Sequence, residues 1–554
     1  MPTNCVRRGA IVLSLIAFLA LLGSSFTVES SASDITVNTT SDVVDFGGAQ
    51  QVGDLPGSDA LVSLREAIIA SNNTAGSQLI GFSIPTSDAG FDGMVFTIRP
   101  LSGLPPLSDG GTTIDGSTQA AFTGNTNSTG PEIVLNGGLL GDCASGLSIT
   151  SANNVVHSLV INGFAVGIPN VCLPTGILIS SPQATGNVVT GCFMGLDSRG
   201  TVTVSNAHGI NTDNGASNNR IGGTSNGERN VIAGNSIRGI TLSSDNNFVL
   251  GSFIGTDPTG TLAIGNGEQD GIEVNGTNNL IGSNVISSNR SGVRLLGGSN
   301  RVMGNFLGTD VTGTIALGNR EDGVLVDADS NVIIGNLISG NALDGIGFLS
   351  AHNNAAQANR IGTDINGIPS LSNGRFGVHI SSGPTGPVSN DNRVEDNLIA
   401  GNASVGVAIF AGVRNSIIRN RIFSNGGLGI QLGPGLTPND PGDFDTGPND
   451  LMNFPLLEFA HATPGHLIVK GTIDAQNPKD IVIEFFANPV PTPGGDASGH
   501  GEGAIFLGTA KPNPNGSFTA SLQSVAIGTL ITATATDEVG NTSEYAANIV
   551  ASFP

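Results

Sequence analysis

The chain has 554 residues, more than one ordinary hydrophobic core accommodates, so it is either several domains or one elongated array. Only 12% of its residues are charged and 38% are hydrophobic, with 81 glycines, which excludes charge-driven disorder, and no Gly-X-Y period marks collagen. A formal charge of -23, with lysine only at Lys470, Lys479 and Lys511, argues against nucleic acid and anionic lipid as partners and favours cations.

Residues 1–32 read as an export signal: Arg7 and Arg8 precede an apolar run from Ile11 to Leu22, and the small residues Ser30 and Ala32 mark cleavage positions. The run is short for a membrane span, and no second apolar segment follows. The mature chain is therefore expected without a transmembrane segment, secreted or held at the cell surface. Cys5 would leave with the signal, and Cys143, Cys172 and Cys192 remain. Cys143 and Cys172 each stand just ahead of a similar strand, opening at Gly146 and Gly176. If those strands stack on adjacent coils, the two cysteines come within bridging distance.

Residues 33–135 are expected to hold a cap and the first coils. Ser63-x-x-Glu66 is a capping box, and Leu64, Ala67 and Ile68 share one helical face, so a short amphipathic helix is expected to plug this end. The capping box already accounts for Glu66, which leaves it and Arg65 no catalytic role.

Residues 136–436 repeat. A Gly followed by Ile or Val opens a short alternating strand at Ile177, Ile240, Val293, Ile346 and Ile430, among other places, in steps of about 21 to 33 residues, the length of a solenoid coil. Asparagines at Asn230, Asn284, Asn331, Asn336 and Asn397 interleave with these strands. Strands this short bury a core only by stacking coil on coil, and corner asparagines can then hydrogen-bond up the stack. The pattern predicts an all-β parallel β-helix.

A larger unit of about 54 residues lies above the coil. The Gly-Thr-Asp loops ending at Asp257, Asp310 and Asp364, with a degenerate copy at Asp197, recur in step with it, so they project from one side, one above another. They are either display loops or plain turns in which each Asp bonds its own backbone, and the turn reading is the stronger.

The Gly-Thr-Asp-x-Thr-Gly-Thr loop, the insertion from Ile221-Gly222-Gly223-Thr224 to Asn230, and Thr113-Ile114-Asp115-Gly116 resemble a widespread group of exported right-handed parallel β-helix repeat proteins. So does Val62-Ser63-Leu64-Arg65-Glu66-Ala67, close to the Cys-Ser-Leu-Arg-Glu-Ala motif that names an N-terminal domain in that group. Val62 replaces the motif's cysteine, so the disulfide expected there is lost. The resemblance implies a right-handed solenoid and no firmly assigned activity.

Residues 437–450 form a turn-rich acidic linker. Asp443-x-Asp445-x-Gly447, followed by Asn449 and Asp450, places oxygen ligands at alternate positions around a turn, as calcium loops do, but lacks a distal bidentate Glu. Calcium and a plain acidic turn both remain open, with the turn favoured. Within 451–554, alternating strands are expected at Leu467–Ile473, Ile481–Ala487, Ile505–Gly508, Phe518–Leu522 and Leu530–Thr536, the spacing of a β-sandwich. The stretch from Thr532 to Glu544 resembles the end of a bacterial immunoglobulin-like domain.

Catalytic signals are sparse. Asn211-Thr212-Asp213 and Gly499-His500-Gly501 match fragments of a polygalacturonase-type signature but lie in different domains. His157, His208, His352 and His379 stand isolated along the coils, as do Arg294, Arg301, Arg360, Arg393 and Arg419, and no zinc-type His spacing exists. With no Trp and one Tyr, Tyr545, the aromatic platforms usual for carbohydrate are few. The sequence thus favours a non-catalytic scaffold presenting stacked loops to an extracellular glycan or cell-surface component. The alternative is a polysaccharide lyase or hydrolase. Several carboxylates and an arginine gathered on one outward coil face would reverse that order.

Overall fold

The computed structural model describes residues 34–141, 143–165, 174–383, 386–488 and 498–554. From Ile35 to Leu432 the chain winds in coils whose short strands stack in parallel into three sheets, of 13, 12 and 11 strands among the described residues. Sheet 1 runs from Ile35–Val37 to Ser416–Ile418, sheet 2 from Phe96–Ile98 to Arg421–Phe423, and sheet 3 from Leu147–Ile149 to Ile430–Leu432. The coils stay in phase: Val302 pairs with Ile333, Leu307 with Ile338 and Val324 with Ile346, so each inward residue rests on its counterpart one coil away. The chain is a right-handed parallel β-helix around one continuous aliphatic core.

Its corners are held by asparagine. At one corner Asn279 donates its backbone N–H to Asn300 Oδ1 at 2.8 Å, and Asn300 repeats the bond to Asn331 Oδ1 at 2.8 Å. A second ladder runs through Asn284, Asn305, Asn336, Asn359, Asn397 and Asn420. Each buried amide satisfies the coil before it, which is why so many asparagines tolerate burial. The turn requires a left-handed residue just before the ladder, a position taken by Asn278 (φ 57) and Ser299 (φ 62).

Helix α1, Leu64–Asn72, covers the N-terminal end. Ser63 Oγ accepts from Glu66 N at 3.2 Å, and Glu66 Oε2 accepts from Ser63 N at 2.9 Å, completing the capping box. Leu64, Ala67 and Ile68 are buried in the solenoid core.

The C-terminal domain is all-β, but among the described residues its seven strands form one continuous sheet, not the two of a sandwich. The expected strands are present, with Leu456–Thr463 and Ile549–Ser552 in addition. Ile549–Ser552 pairs antiparallel with Leu530–Thr536 and in parallel with Leu456–Thr463, which joins the two halves into a partly closed barrel around Leu467, Phe485, Phe518 and Ile531.

This domain closes the last coil. Phe486 and Tyr545 join the solenoid core, and Gly503 pairs with Ile422 of sheet 2. Three of its buried glutamates accept the coil's open N–H groups: Glu484 takes Arg419 N at 2.7 Å, Glu502 takes Asn425 N at 2.9 Å, and Glu544 takes Leu432 N at 2.8 Å. An uncovered strand edge is thereby removed. Among the described residues no helix is long and apolar enough to cross a membrane.

Candidate functional site

The residues singled out in the linker divide. Asp443 and Asp445 converge with Asp440, their carboxylate oxygens within 4.8 Å of one another. Asp440 was not foreseen, although it belongs to the same turn. Buried oxygens of Asp440 and Asp445 (Oδ1 of each) have no hydrogen-bond partner. Burial, with the charges of Asp440 and Asp445, pushes the Asp443 carboxyl up to about 6. Asn449, by contrast, is turned away: its Oδ1 accepts Asn415 N at 3.0 Å, so it ends an asparagine ladder. Asp450 Oδ2 accepts from Asn541 Nδ2 at 3.2 Å and lines, with Asp443, Asp445, Asp480 and Asp537, a cavity of about 390 Å³ between linker and C-terminal domain.

The loops of Asp257, Asp310 and Asp364 are joined edge to edge, Val311 N reaching Gly260 O at 2.9 Å and Ile365 N reaching Gly313 O at 3.0 Å. Their carboxylates are spent inside the turns. Asp257 Oδ1 accepts from Thr261 N and Leu262 N at 3.0 and 2.9 Å, and Asp197, Asp310 and Asp364 do the same in their own loops. What the loops expose is aliphatic: Val202, Leu262, Ile315 and Ile368.

Cys143 is disulfide-bonded, and Cys172, its expected partner, lies outside the described residues. Cys192 is a free thiol inside the core, pushed up to about 12 by burial, and so inert. Asp213 and His500 do not meet. Asp213 ends the sheet 3 strand His208–Asp213, whereas His500 hydrogen-bonds Tyr545 O in the C-terminal domain, eight strands along the stack.

Of the arginines and histidines that look scattered in sequence, Arg301, Arg393 and His157 lie on sheet 1 and Arg360 on sheet 2, whereas the coil register brings Arg294, His208 and His379 onto sheet 3. One outward column reads Thr241, Glu273, Arg294, Leu325, Gly347, His379 and Ala408 on successive coils. Beside it, just before each strand, stand Asp270, Ser291, Asp322 and Asp344. Arg238 pairs with Glu273 at 2.7 Å, Arg290 with Glu321 at 2.9 Å, Arg294 with Asp327 at 2.9 Å, and Arg375 with Asp344. His379 Nδ1 meets Asp344 Oδ2 at 3.0 Å. Three rings close the upper end, Phe376 and Phe410 with centroids 5.3 and 5.5 Å from that of His379.

The carboxyls here hold their protons with different strength. Burial, reinforced by the neighbouring Asp344 charge, pushes Asp322 up to about 6. Burial opposes the charge of Asp344 too, but hydrogen bonds from Arg375 and His379 outweigh it and hold that carboxyl below its ordinary value. Two carboxyls of different proton affinity, an imidazole held by one of them and an aromatic shelf thus stand together on this face. The signal available in sequence is the triplet Asp270-Gly271-Ile272, Asp322-Gly323-Val324 and Asp344-Gly345-Ile346.

Residues 270–437 match the family model described as right handed beta helix region. No curated protein matches the chain. Among solved structures, the Dettilon tailspike protein is similar at 14% identity over 93% of this chain and 90% of that one, with a TM-score of 0.44. The A-module of the Azotobacter vinelandii mannuronan C-5 epimerase AlgE4 is similar at 16% identity over 68% of this chain and 96% of that one, TM-score 0.36. The periplasmic alginate epimerase AlgG is similar at 11% identity over 66% and 74%, TM-score 0.31.

Proposed function

We propose that the protein is an exported β-helix that binds an uncharged polysaccharide along the outward face of sheet 3, with calcium bracing the joint at the linker. The observation that carries this is the half-buried Phe376–His379–Phe410 shelf at the end of a face lined with paired polar groups. Aromatic faces stack on the apolar faces of sugar rings, while ion-paired side chains still offer hydrogen bonds to hydroxyls. The ligand is uncharged because Arg238, Arg290, Arg294 and Arg375 are each neutralised by a carboxylate, and a chain of charge -23 repels a polyuronate.

Calcium is supported by the donor set. Asp440, Asp443 and Asp445 supply hard oxygens, two of them buried and unpaired, and a divalent ion would relieve their mutual repulsion.

Affinity electrophoresis in gels containing dextran, galactomannan, xyloglucan or polygalacturonate tests the binding reading. The wild-type chain is expected to be retarded by at least one neutral polymer and not by polygalacturonate, and F376A/F410A to run free. Retardation by none of the neutral polymers overturns it.

A second reading, adhesion through the stacked loops without catalysis, is supported by the aligned exposed residues Val202, Leu262, Ile315 and Ile368. Serine at all four positions would then abolish attachment while leaving electrophoretic retardation intact.

A further inference from the structure

The chain contains two Asp–Pro peptide bonds, Asp257–Pro258 and Asp440–Pro441. An aspartate before proline carries its own nucleophile, because a side-chain oxygen that bonds to the residue's own carbonyl carbon closes a five-membered ring. The two sites differ in whether that oxygen is free. At Asp257 both are occupied: Oδ1 accepts Thr261 N and Leu262 N at 3.0 and 2.9 Å, and Oδ2 accepts Thr259 Oγ1 at 2.6 Å. At Asp440 Oδ2 accepts Phe444 N at 3.2 Å. Its Oδ1 is shut off from solvent and, among the described residues, has no hydrogen-bond partner. A carboxylate oxygen stripped of water and donors attacks more readily than a solvated one.

The carbonyl that would be attacked is polarised by a fixed donor. Asp440 O accepts from Asn453 Nδ2 at 2.8 Å, with Asp443 N 3.5 Å away. Asn453 is buried, and its amide is held from two further sides: Nδ2 also donates to Asp474 O at 2.9 Å, and Oδ1 accepts Asp440 N at 2.9 Å. An amide so held, aimed at a carbonyl oxygen, stabilises the negative charge that gathers there in a tetrahedral state. A plain Asp–Pro turn accounts for the bond from Phe444 N, but for neither the unused Oδ1 nor the Asn453 donor. Pro441 is exposed, so water reaches its nitrogen.

We propose that the protein cuts its own chain between Asp440 and Pro441, at the joint of solenoid and C-terminal domain, with Asp440 as nucleophile and Asn453 as oxyanion donor. Asp440 Oδ1 bonds to the Asp440 carbonyl carbon, and the bond from that carbon to the Pro441 nitrogen breaks. The nitrogen keeps the electron pair and takes a proton from water, becoming the new amino terminus. The cyclic anhydride left on Asp440 is opened by a second water, which restores two carboxyl groups. One peptide bond is hydrolysed and nothing is oxidised or reduced. The pieces stay together in the native protein, because Glu484, Glu502 and Glu544 still hold the last coil. The inference does not depend on glycan binding.

The test incubates the purified full-length chain at neutral pH in EDTA and follows it by denaturing gel and mass spectrometry. A fragment beginning at Pro441 is expected, at a rate independent of protein concentration, while Asp257–Pro258 stays whole. In oxygen-18 water the label is expected in both carboxyls of Asp440, since the anhydride opens at either carbonyl. D440A is expected not to cut, and N453A to cut about 100-fold or more slowly. P441A, which keeps every carboxylate and changes an exposed residue, is expected to cut more slowly with an unchanged melting temperature. No fragment from the wild type overturns the proposal. So does cutting by D440A at the wild-type rate, equal cutting at Asp257–Pro258, or label confined to the main-chain carboxyl. Calcium bound at Asp440 would engage the same carboxylate, so its addition is expected to suppress the cut. Cutting that is indifferent to calcium counts against the ion and leaves self-cleavage standing.

Discussion

His379 Nδ1 and Asp344 Oδ2 lie 3.0 Å apart across two adjacent coils, although 35 residues separate them in the chain. The carboxylate can only accept, so Nδ1 carries a proton, and Nε2 is the nitrogen on the far side of the ring. The carboxylate is buried and also paired with Arg375, so its orientation is imposed from two sides.

Asp344→Asn keeps a hydrogen-bonding group of the same shape but removes the charge that favours Nδ1 as donor. Stability is expected to fall by about 1–3 kcal/mol, since the hydrogen bonds from Arg375 and His379 lose their charged acceptor. Polymer affinity is expected to stay within about twofold, because the shelf formed by Phe376 and Phe410 is intact. A loss of affinity at unchanged stability would place Asp344 in binding instead. Chemical denaturation beside isothermal titration separates the two.

Removal of the shelf acts the other way. Phe376→Ala is expected to weaken polymer affinity about 3- to 10-fold, the worth of one aromatic contact at about 0.5–1.5 kcal/mol. Isothermal titration with a defined oligosaccharide measures it. Arg375 lies over the Phe376 ring at 4.9 Å, so the double variant with Arg375→Ala should cost less than the sum of the two single changes.

The solenoid was legible in the sequence because every coil reuses the same inward positions. A Gly before Ile272, Val293 or Ile346 marks a strand each time, and the asparagines at 284, 336 and 397 mark the same corner each time. The capping box at Ser63 and Glu66 is equally local. The sheet 3 cluster is not local. Asp322, Asp344 and His379 become neighbours only through register, and a reading along the chain sees isolated residues. Asn449 was misplaced for a related reason: in sequence it continues an acidic ligand series, but in space its amide is the next rung after Asn415. The joined C-terminal sheet escaped notice because Ile549–Ser552, the strand that joins it, is four residues long.

A single rung tests the ladder. Asn305 Oδ1 accepts both Asn284 N and Asn284 Nδ2, at 2.9 and 3.0 Å. Asn305→Ala leaves the Asn284 N–H and one hydrogen of its side-chain amide buried without an acceptor, the other staying on Val249 O, and each such group costs about 1–3 kcal/mol. A loss of at least about 2 kcal/mol is expected, concentrated in adjacent coils because a solenoid couples mainly nearest neighbours. Hydrogen exchange should show local opening around residues 280–340 with the ends of the rod unchanged. Asn275→Ala, at an exposed position, serves as the control.

Calcium at the linker has a pH signature. Asp443 without an ion is pushed up to about 6, so protons compete with the cation below that pH and binding strengthens as pH rises through it. Addition of calcium at pH 7.5 is expected to raise the melting temperature of the C-terminal domain, and the increase should vanish near pH 5. EDTA should reverse it. D440N/D445N should remove the response at every pH, and a melting temperature indifferent to calcium and EDTA at pH 7.5 would count against the ion.

Glu544 ties the C-terminal domain to the last coil, and its charge works against that role. Its two oxygens accept Leu432 N at 2.8 Å and Thr437 N at 2.9 Å, yet burial pushes the carboxyl up to about 7. The folded-state value lies above the unfolded value of 4.5, so the folded form holds the proton more tightly. The contribution of this group is fully present below pH 4.5 and is lost as pH rises through about 7, as the linkage relation requires. The C-terminal domain should therefore hold to the rod more firmly at pH 5 than at pH 8. Glu544→Gln cannot ionise, so its chemical-denaturation midpoint should lose this component of the pH dependence. The amide offers only one acceptor for two N–H donors, so at pH 5 the variant should be about 1 kcal/mol less stable than wild type. At pH 8 that deficit should shrink or reverse, because only the wild type then buries a charge. A deficit that is the same at both pH values would show that the glutamate stays ionised in the folded protein.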